Sequence, residues 1–192
     1  MTPTIAYPAE LWDLYDADRN CTGESHIRGQ QIPDGRYHIA VHVWLYNPQG
    51  QFLISQRAAT RPAFPLYWET CGGSVTKGED SLTGAVREAI EEVGVTLDPA
   101  KGKLLQSCRR EHYKDFLDIW LFPCEDGPHL ELAETPDEVA DCRWMTPAEI
   151  AVLCDAGRFV HSKQEFFELV LPTISGNPPD ATISCGSSYS CW

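Results

Sequence analysis

The sequence predicts an α/β domain, a mixed β-sheet flanked by helices. Three observations predict it. Residues 37–46 read Tyr-His-Ile-Ala-Val-His-Val-Trp-Leu-Tyr, apolar on both faces, which is the pattern of a buried strand. Residues 80–93 carry the strongest helical pattern: at about 100° per residue, Leu82, Val86, Ala89, Ile90 and Val93 share one face. Paired strand-like runs lie on both sides of this helix, and two helical segments close the chain.

The elements follow in order. Between Glu10 and Arg28, two short strands flank a polar turn with Asp16, Asp18 and Asn20. Residues 37–46 form the buried strand. Asn47-Pro48-Gln49-Gly50 breaks it, and Gln51 to Gln56 resumes as its hairpin partner. Two prolines make residues 59–67 a loop. Trp68 to Val75 is strand-like and contains Cys71-Gly72-Gly73. The helix at 80–93 has Asp80 or Ser81 as its cap and Gly94 at its left-handed end. Leu104 to Arg110 and Asp115 to Phe122 form another strand pair, and residues 124–138 an acidic loop. Val139 to Met145 is a further strand. Thr146-Pro147 opens a short helix that stops at Gly157. Ser162 to Leu171 is the last helix. Residues 1–34 read as an extension packed on the domain, 35–175 as the domain, and 176–192 as a tail that frays.

The chain has 192 residues, enough for one domain with a proper core. Its 28 acidic against 15 basic residues give a net charge of -13. Such a surface repels nucleic-acid backbones and anionic membranes, which argues against a polymer-binding scaffold. No apolar run approaches the roughly 18 residues of a membrane span, and residues 1–8 lack the pattern of a signal peptide. The expected location is cytoplasmic. Eight cysteines contain no CxxC pair. Most are therefore expected to be reduced thiols, and a zinc site is not expected.

Chemistry concentrates between Gly73 and Val95. Glu88, Glu91 and Glu92 stand at i, i+3 and i+4, on the side of the helix opposite its apolar face. Like charges so placed cost about 0.2–0.5 kcal/mol per pair, so three carboxylates call for a counter-charge. A hard divalent cation with oxygen ligands supplies it. The bland alternative is a solvated acidic face. The spacing of the flanking residues weighs against that alternative: Gly73, Glu79, Arg87, Glu88, Glu91, Glu92 and Gly94 are fixed over 23 residues.

That spacing resembles the Nudix box, with Ala89 as the one departure where a larger aliphatic is commoner. The resemblance implies a Nudix α/β/α sandwich with a mixed β-sheet, here with an N-terminal β-hairpin extension. It implies a hydrolase that cleaves a diphosphate linkage in a small nucleotide-like or other diphosphate. It implies Mg²⁺ or Mn²⁺ held by Glu88, Glu91 and Glu92, often with the Gly73 carbonyl, and Glu79 and Arg87 as their partners. Glu91 is the first choice of general base; Asp118, Glu131, Glu134 and Glu138 are alternatives. Arg57 and Lys77 are the candidates for phosphate contact, with Arg36 and Arg61 weaker.

The N-terminal layout, with Trp12, His26, His38 and the run Pro65-Leu66-Tyr67-Trp68, looks like the isopentenyl-diphosphate-isomerase-like branch. Counting back from Gly78-Glu79, the isomerases' catalytic Cys falls on Gly72 and their metal-binding His on Ser74, and Cys71 is out of register. This favours hydrolysis, with isomerisation or a non-catalytic nucleotide sensor as alternatives. His38 reads as a packed strand residue. Trp44, Phe64, Trp68 and Trp120 read as core before base-stacking. Members of this branch are often dimers, and the N-terminal extension offers strands that could pair across a homodimer interface; the sequence leaves the oligomeric state open.

Overall fold

The computed structural model describes residues 10–125, 127–129 and 137–176. The chain opens with an antiparallel hairpin, β1 (Leu11–Tyr15) and β2 (Cys21–Ile27). The central sheet follows: β3 (His38–Tyr46), β4 (Phe52–Arg57), β5 (Trp68–Glu69), β6 (Cys71–Ser74), β7 (Lys103–Arg110), β8 (Asp115–Pro123) and β9 (Val139–Met145). β3 lies at its middle. It runs parallel to β8 from His38↔Asp115 to Tyr46↔Pro123 and antiparallel to β6 on its other edge. The sheet is therefore mixed, as the sequence predicts. One pairing differs. β4 meets β3 only at Tyr46↔Phe52, then turns to pair with β5 and β9. The edge of β3 that β4 leaves is taken by β6.

Alternation along β3 sorts the two cores. Ile39, Val41, Val43 and Leu45 join Ala85, Ala89 and Val93 of α1 (Ser81–Val93) on one face. Trp44 on the other face joins Ile150 of α2 (Pro147–Asp155) and Phe166. Helices thus cover both sides of the sheet, an α/β/α sandwich. Thr146 and Glu149 form a reciprocal capping box at α2. The last helical segment is not a simple α-helix. Residues Glu165–Val170 are wound as a π-helix and run directly into α3 (Leu171–Ile174). Among the described residues no helix is long and apolar enough to cross a membrane. Cys21, Cys71, Cys124, Cys142 and Cys154 are free thiols, whereas Cys108 is disulfide-bonded.

The hairpin β1–β2 is tied to the domain by several contacts. Tyr15 and Tyr37 exchange backbone hydrogen bonds. The Lys77 and Gly78 amides donate to the Leu11 carbonyl and the Asp13 carboxylate, at 2.8 and 2.7 Å. Arg19 holds both oxygens of Asp118, at 2.7 and 2.5 Å. The loop entering α1 is thereby fixed from outside the sheet.

Gly94 ends α1 in the left-handed conformation, φ 67°. A Cβ there would stand 2.1 Å from the His129 carbonyl oxygen, because the segment after β8 docks on this helix end. Gly94→Ala is expected to cost at least about 1 kcal/mol, since both the backbone conformation and the contact are lost. Urea unfolding of the two proteins measures it.

Candidate active site

The site lies where α1 meets β6. Asp80 caps α1 by accepting from the Thr83 amide at 2.8 Å. Gly84 brings the helix close; a Cβ on it would approach Val75 Cγ2 to 2.9 Å. Glu88 stands over Gly73, where a Cβ would come within 2.4 Å of Oε1. Glu92 Oε2 accepts the Gly72 amide at 3.1 Å. This corrects the expectation that the three carboxylates face away from the apolar side. The buried stripe of α1 is Gly84, Ala85, Glu88, Ala89 and Val93, so Glu88 lies within it. Two side-chain-free glycines in β6 leave the room.

Burial has an electrostatic consequence. Loss of water pushes the Glu88 carboxyl up to about 7, against the pull of Arg87 beside it. Glu92 is raised well above the usual carboxylate range by burial first, and then by the Glu88 and Glu69 charges. The pair is short of positive charge.

Arg87 supplies what there is. Its Nε donates to both oxygens of Glu79, at 3.0 and 3.1 Å. Nη1 donates to Glu88 at 2.9 Å and Glu91 at 2.7 Å, and Nη2 to the Ser74 carbonyl at 2.9 Å. Glu79 also accepts the Thr76 amide, which closes the loop before the helix. One guanidinium thus orients three carboxylates against the end of β6.

On the other side of β6 lies a cavity of about 290 Å³. Gly72, Gly73 and Ser74 line it, the same residues that meet Glu92, Glu88 and Arg87. Its floor carries His38 and His42 from β3; its sides carry Glu69, Arg110, His161 and Glu165. Arg110 is paired bidentately with Asp115, at 2.8 and 2.6 Å. Burial raises the Glu69 carboxyl, opposed by Arg57.

The sequence candidates fall into two groups. Gly73, Glu79, Arg87, Glu88, Glu91 and Glu92 are brought together. Asp118, Arg57 and Lys77 are not among them. Asp118 is buried on β8 under Arg19. Arg57 donates to Glu69 at 2.6 Å and to the Ala63 carbonyl at 2.9 Å. Lys77 is exposed on the loop before α1. Glu138 pairs with Arg61 at 2.6 Å, Arg36 with Glu24, and Glu131 and Glu134 lie outside the described residues.

Trp44 is core and donates to Glu165; Trp120 donates to Ser81; Trp68 carries Arg143 over its ring. Phe64 borders the cavity. His38 stacks on Trp12 at 4.1 Å, and its buried Nδ1 has no hydrogen-bond partner among the described residues. Cys71 is buried against β3 with its thiol pushed up by burial, which opposes a reactive role. Gly72, the position matching the isomerase cysteine, has no room for a side chain: a Cβ would meet the Val41 carbonyl oxygen at 2.2 Å.

Sequence reasoning missed Glu69, His161 and Glu165. His161 and Glu165 are four residues apart, a spacing that places two side chains on one helical face. Nothing local links that pair to His42, which lies 119 and 123 residues away. In the structure, His42 Nδ1 is 3.0 Å from each Glu165 oxygen, and Trp44 Nε1 donates to Oε1 at 2.8 Å.

Burial lowers the His161 imidazole from 6.5 to about 3. Despite its burial, Glu165 is lowered from 4.5 to about 2, by His42 first among its stabilising partners. The unfolded chain therefore takes up these protons before the folded one does. Their contribution to stability is complete above pH 6.5 and drains away down to about pH 2. His161→Gln removes the histidine's share. In EDTA, the Tm difference between the native protein and this variant is expected to change between pH 6.5 and 3, with the native protein losing more. A pH-independent difference contradicts the assignment.

The fold agrees with comparisons to known proteins. The NUDIX domain family matches residues 36–170. An uncharacterized Nudix hydrolase of Listeria monocytogenes is 35% identical over 152 residues, covering 79% of this chain and 88% of the relative. An isopentenyl-diphosphate Delta-isomerase of Nocardia farcinica is 30% identical over 152 residues, covering 72% and 80%. The crystal structure of DR0079 from Deinococcus radiodurans superposes with a TM-score of 0.61 at 24% identity, covering 78% of this chain and 91% of that one. With a complete box folded into one carboxylate–arginine cluster and a family match over most of its length, the chain belongs to the Nudix family, on the branch that includes isopentenyl-diphosphate-isomerase-like members.

Proposed function

We propose that the protein is a divalent-metal-dependent hydrolase that cleaves the diphosphate linkage of a small nucleotide-like or other diphosphate. One observation carries the reading: Glu88, Glu91 and Glu92 converge beside Gly73, and a single guanidinium, Arg87, is shared among Glu79, Glu88 and Glu91. The donor set is all oxygen, which suits Mg²⁺ or Mn²⁺. Glu88, Glu91 and Glu92 would hold the ion, with the Gly73 carbonyl. When bound, it neutralises the diphosphate and lowers the pKa of the attacking water.

The chain's own residues do the remainder. Arg87 and Glu79 keep the carboxylates in place while charge develops on phosphorus. Glu91 takes the proton of the attacking water; it is more exposed than Glu88, 26% against 11% of the side chain. A bond forms from the water oxygen to phosphorus, the bridging P–O bond breaks, and a phosphate-bearing group leaves. The base is Glu91 rather than Asp118, because Arg19 occupies both Asp118 oxygens. Lys77, exposed on the box loop, would reach a phosphate only from outside the carboxylate cluster. Arg57 does so only by exchanging Glu69 for the ligand. The cavity behind β6 would hold the rest of the substrate.

Isomerisation of isopentenyl diphosphate is the second reading, favoured by the Nocardia relative. Gly72 weighs against it, since no cysteine fits there while β6 stays paired with β3. The deciding experiment is phosphate release from a panel of nucleoside di- and triphosphates, sugar diphosphates and dinucleotides with Mg²⁺ or Mn²⁺, beside a parallel assay for allylic product from isopentenyl diphosphate. Turnover on the panel with none on the allylic assay supports hydrolysis; the reverse overturns it.

Glu92→Gln and Glu91→Gln are each expected to lower kcat by about 100-fold or more at saturating Mg²⁺, with the fold retained by circular dichroism. Arg87→Lys keeps the charge but loses the fork, and is expected to lower kcat at least about 10-fold with little change in KM. Steady-state kinetics on the best panel substrate measures all three. EDTA is expected to abolish turnover, and added Mg²⁺ to restore it.

A further inference from the structure

We propose that His42, His161 and Glu165 form a second metal site, for a transition ion such as Zn²⁺ or Co²⁺, separate from the carboxylates of α1. The ligand atoms of the three residues lie within 4.8 Å of one another. The two imidazole rings meet edge-on, with centroids 4.1 Å apart. His42 Nδ1 faces both Glu165 oxygens at 3.0 Å. In a tetrahedral zinc shell, with bonds of about 2.0–2.2 Å, ligand atoms sit roughly 3.3–3.5 Å apart. The 3.0 Å separation of His42 Nδ1 from the Glu165 oxygens lies close to that spacing.

The surroundings fit a metal better than a plain ion pair. Glu165 is 1% exposed, and among the described residues its salt-bridge partner is His42. Burying a carboxylate costs several kcal/mol unless it is well paired. The Trp44 indole N–H holds Oε1 from behind at 2.8 Å, as outer hydrogen bonds hold a ligating carboxylate. Ser162 Oγ accepts the Glu165 amide at 3.0 Å and fixes the start of the helical segment. Among the described residues, the hydrogen-bond contact of His161 Nε2 is a long one to the Thr70 carbonyl, 3.4 Å. Glu165 also opens the π-helix, a winding that recurs at functional sites.

Two imidazoles and one carboxylate leave at least one coordination position. All three residues line the cavity, so that position faces it and would take an anionic oxygen of a ligand there. The donor sets separate the two sites. Imidazole suits zinc and cobalt, whereas Mg²⁺ prefers the all-oxygen cluster. The sequence gives no zinc spacing because these ligands come from β3 and from the far end of the chain. The inference stands whether or not the carboxylates of α1 support hydrolysis.

The test is a Co²⁺ titration of the full chain in excess Mg²⁺, followed by visible absorption and by calorimetry. It is repeated with Glu88→Gln/Glu92→Gln and with His161→Gln. One equivalent of Co²⁺ giving visible bands, retained in the first variant and weakened more than about 10-fold in the second, is the expected result. Loss of the bands in the first variant, with no change in His161→Gln, assigns the cobalt to α1 and overturns the proposal. Absence of visible bands in the native protein at micromolar metal also overturns it. Because His161→Gln could perturb folding, imidazole ¹H–¹⁵N spectra of the native protein provide a second readout. Substoichiometric Zn²⁺ must shift two imidazoles, assigned to His42 and His161; unshifted signals refute the site.

Discussion

The structure around the site depends on the fork of Arg87. A single guanidinium joins the loop before α1, through Glu79, to the helix, through Glu88 and Glu91, and to the sheet, through the Ser74 carbonyl. Loop, helix and strand are separate pieces of a sandwich, and hydrophobic contact fixes their distance more firmly than their relative slide. Directional, charge-assisted hydrogen bonds fix the slide. Glu88 and Glu92 are drawn out of water against β6, which sets the cluster apart from a solvated acidic face.

Much of this was legible in the sequence. The box spacing located Gly73, Glu79, Arg87, Glu88, Glu91 and Glu92, because local chemistry at fixed intervals on a loop and helix survives as a linear pattern. The caps at Asp80, Gly94 and Thr146 were legible for the same reason. Helical periodicity was less exact. It put Glu88 on the outer face, since a helical wheel cannot register that the facing strand is two glycines. The brief pairing of β3 with β4 was hidden too, because which strand takes an edge is settled by the whole sheet.

What lay beyond reach was assembled across long separations. The partnership of Arg19 with Asp118 joins an N-terminal turn to β8, and that of His42 with Glu165 joins β3 to the last helical segment. Asp118 alone reads as a candidate base, and nothing local in the sequence ties it to Arg19 or His42 to Glu165. Both pairs sit against β3 or its parallel neighbour β8, so the central strand gathers side chains that the sequence keeps apart. The N-terminal hairpin adds to this by gripping the box loop at Lys77 and Gly78 and covering His38 with Trp12.

The glycine wall of β6 has a consequence for how this scaffold changes chemistry. Gly72 abuts the Val41 carbonyl, and Gly73 abuts the Glu88 carboxylate, so each is held by a neighbour that another part of the site requires. A nucleophilic side chain cannot be introduced here by one substitution, because β6 would first have to peel away from β3, disturbing the strand under both cores. A new reactive side chain on this strand is therefore a backbone event, needing an insertion or a shifted strand register before it becomes useful.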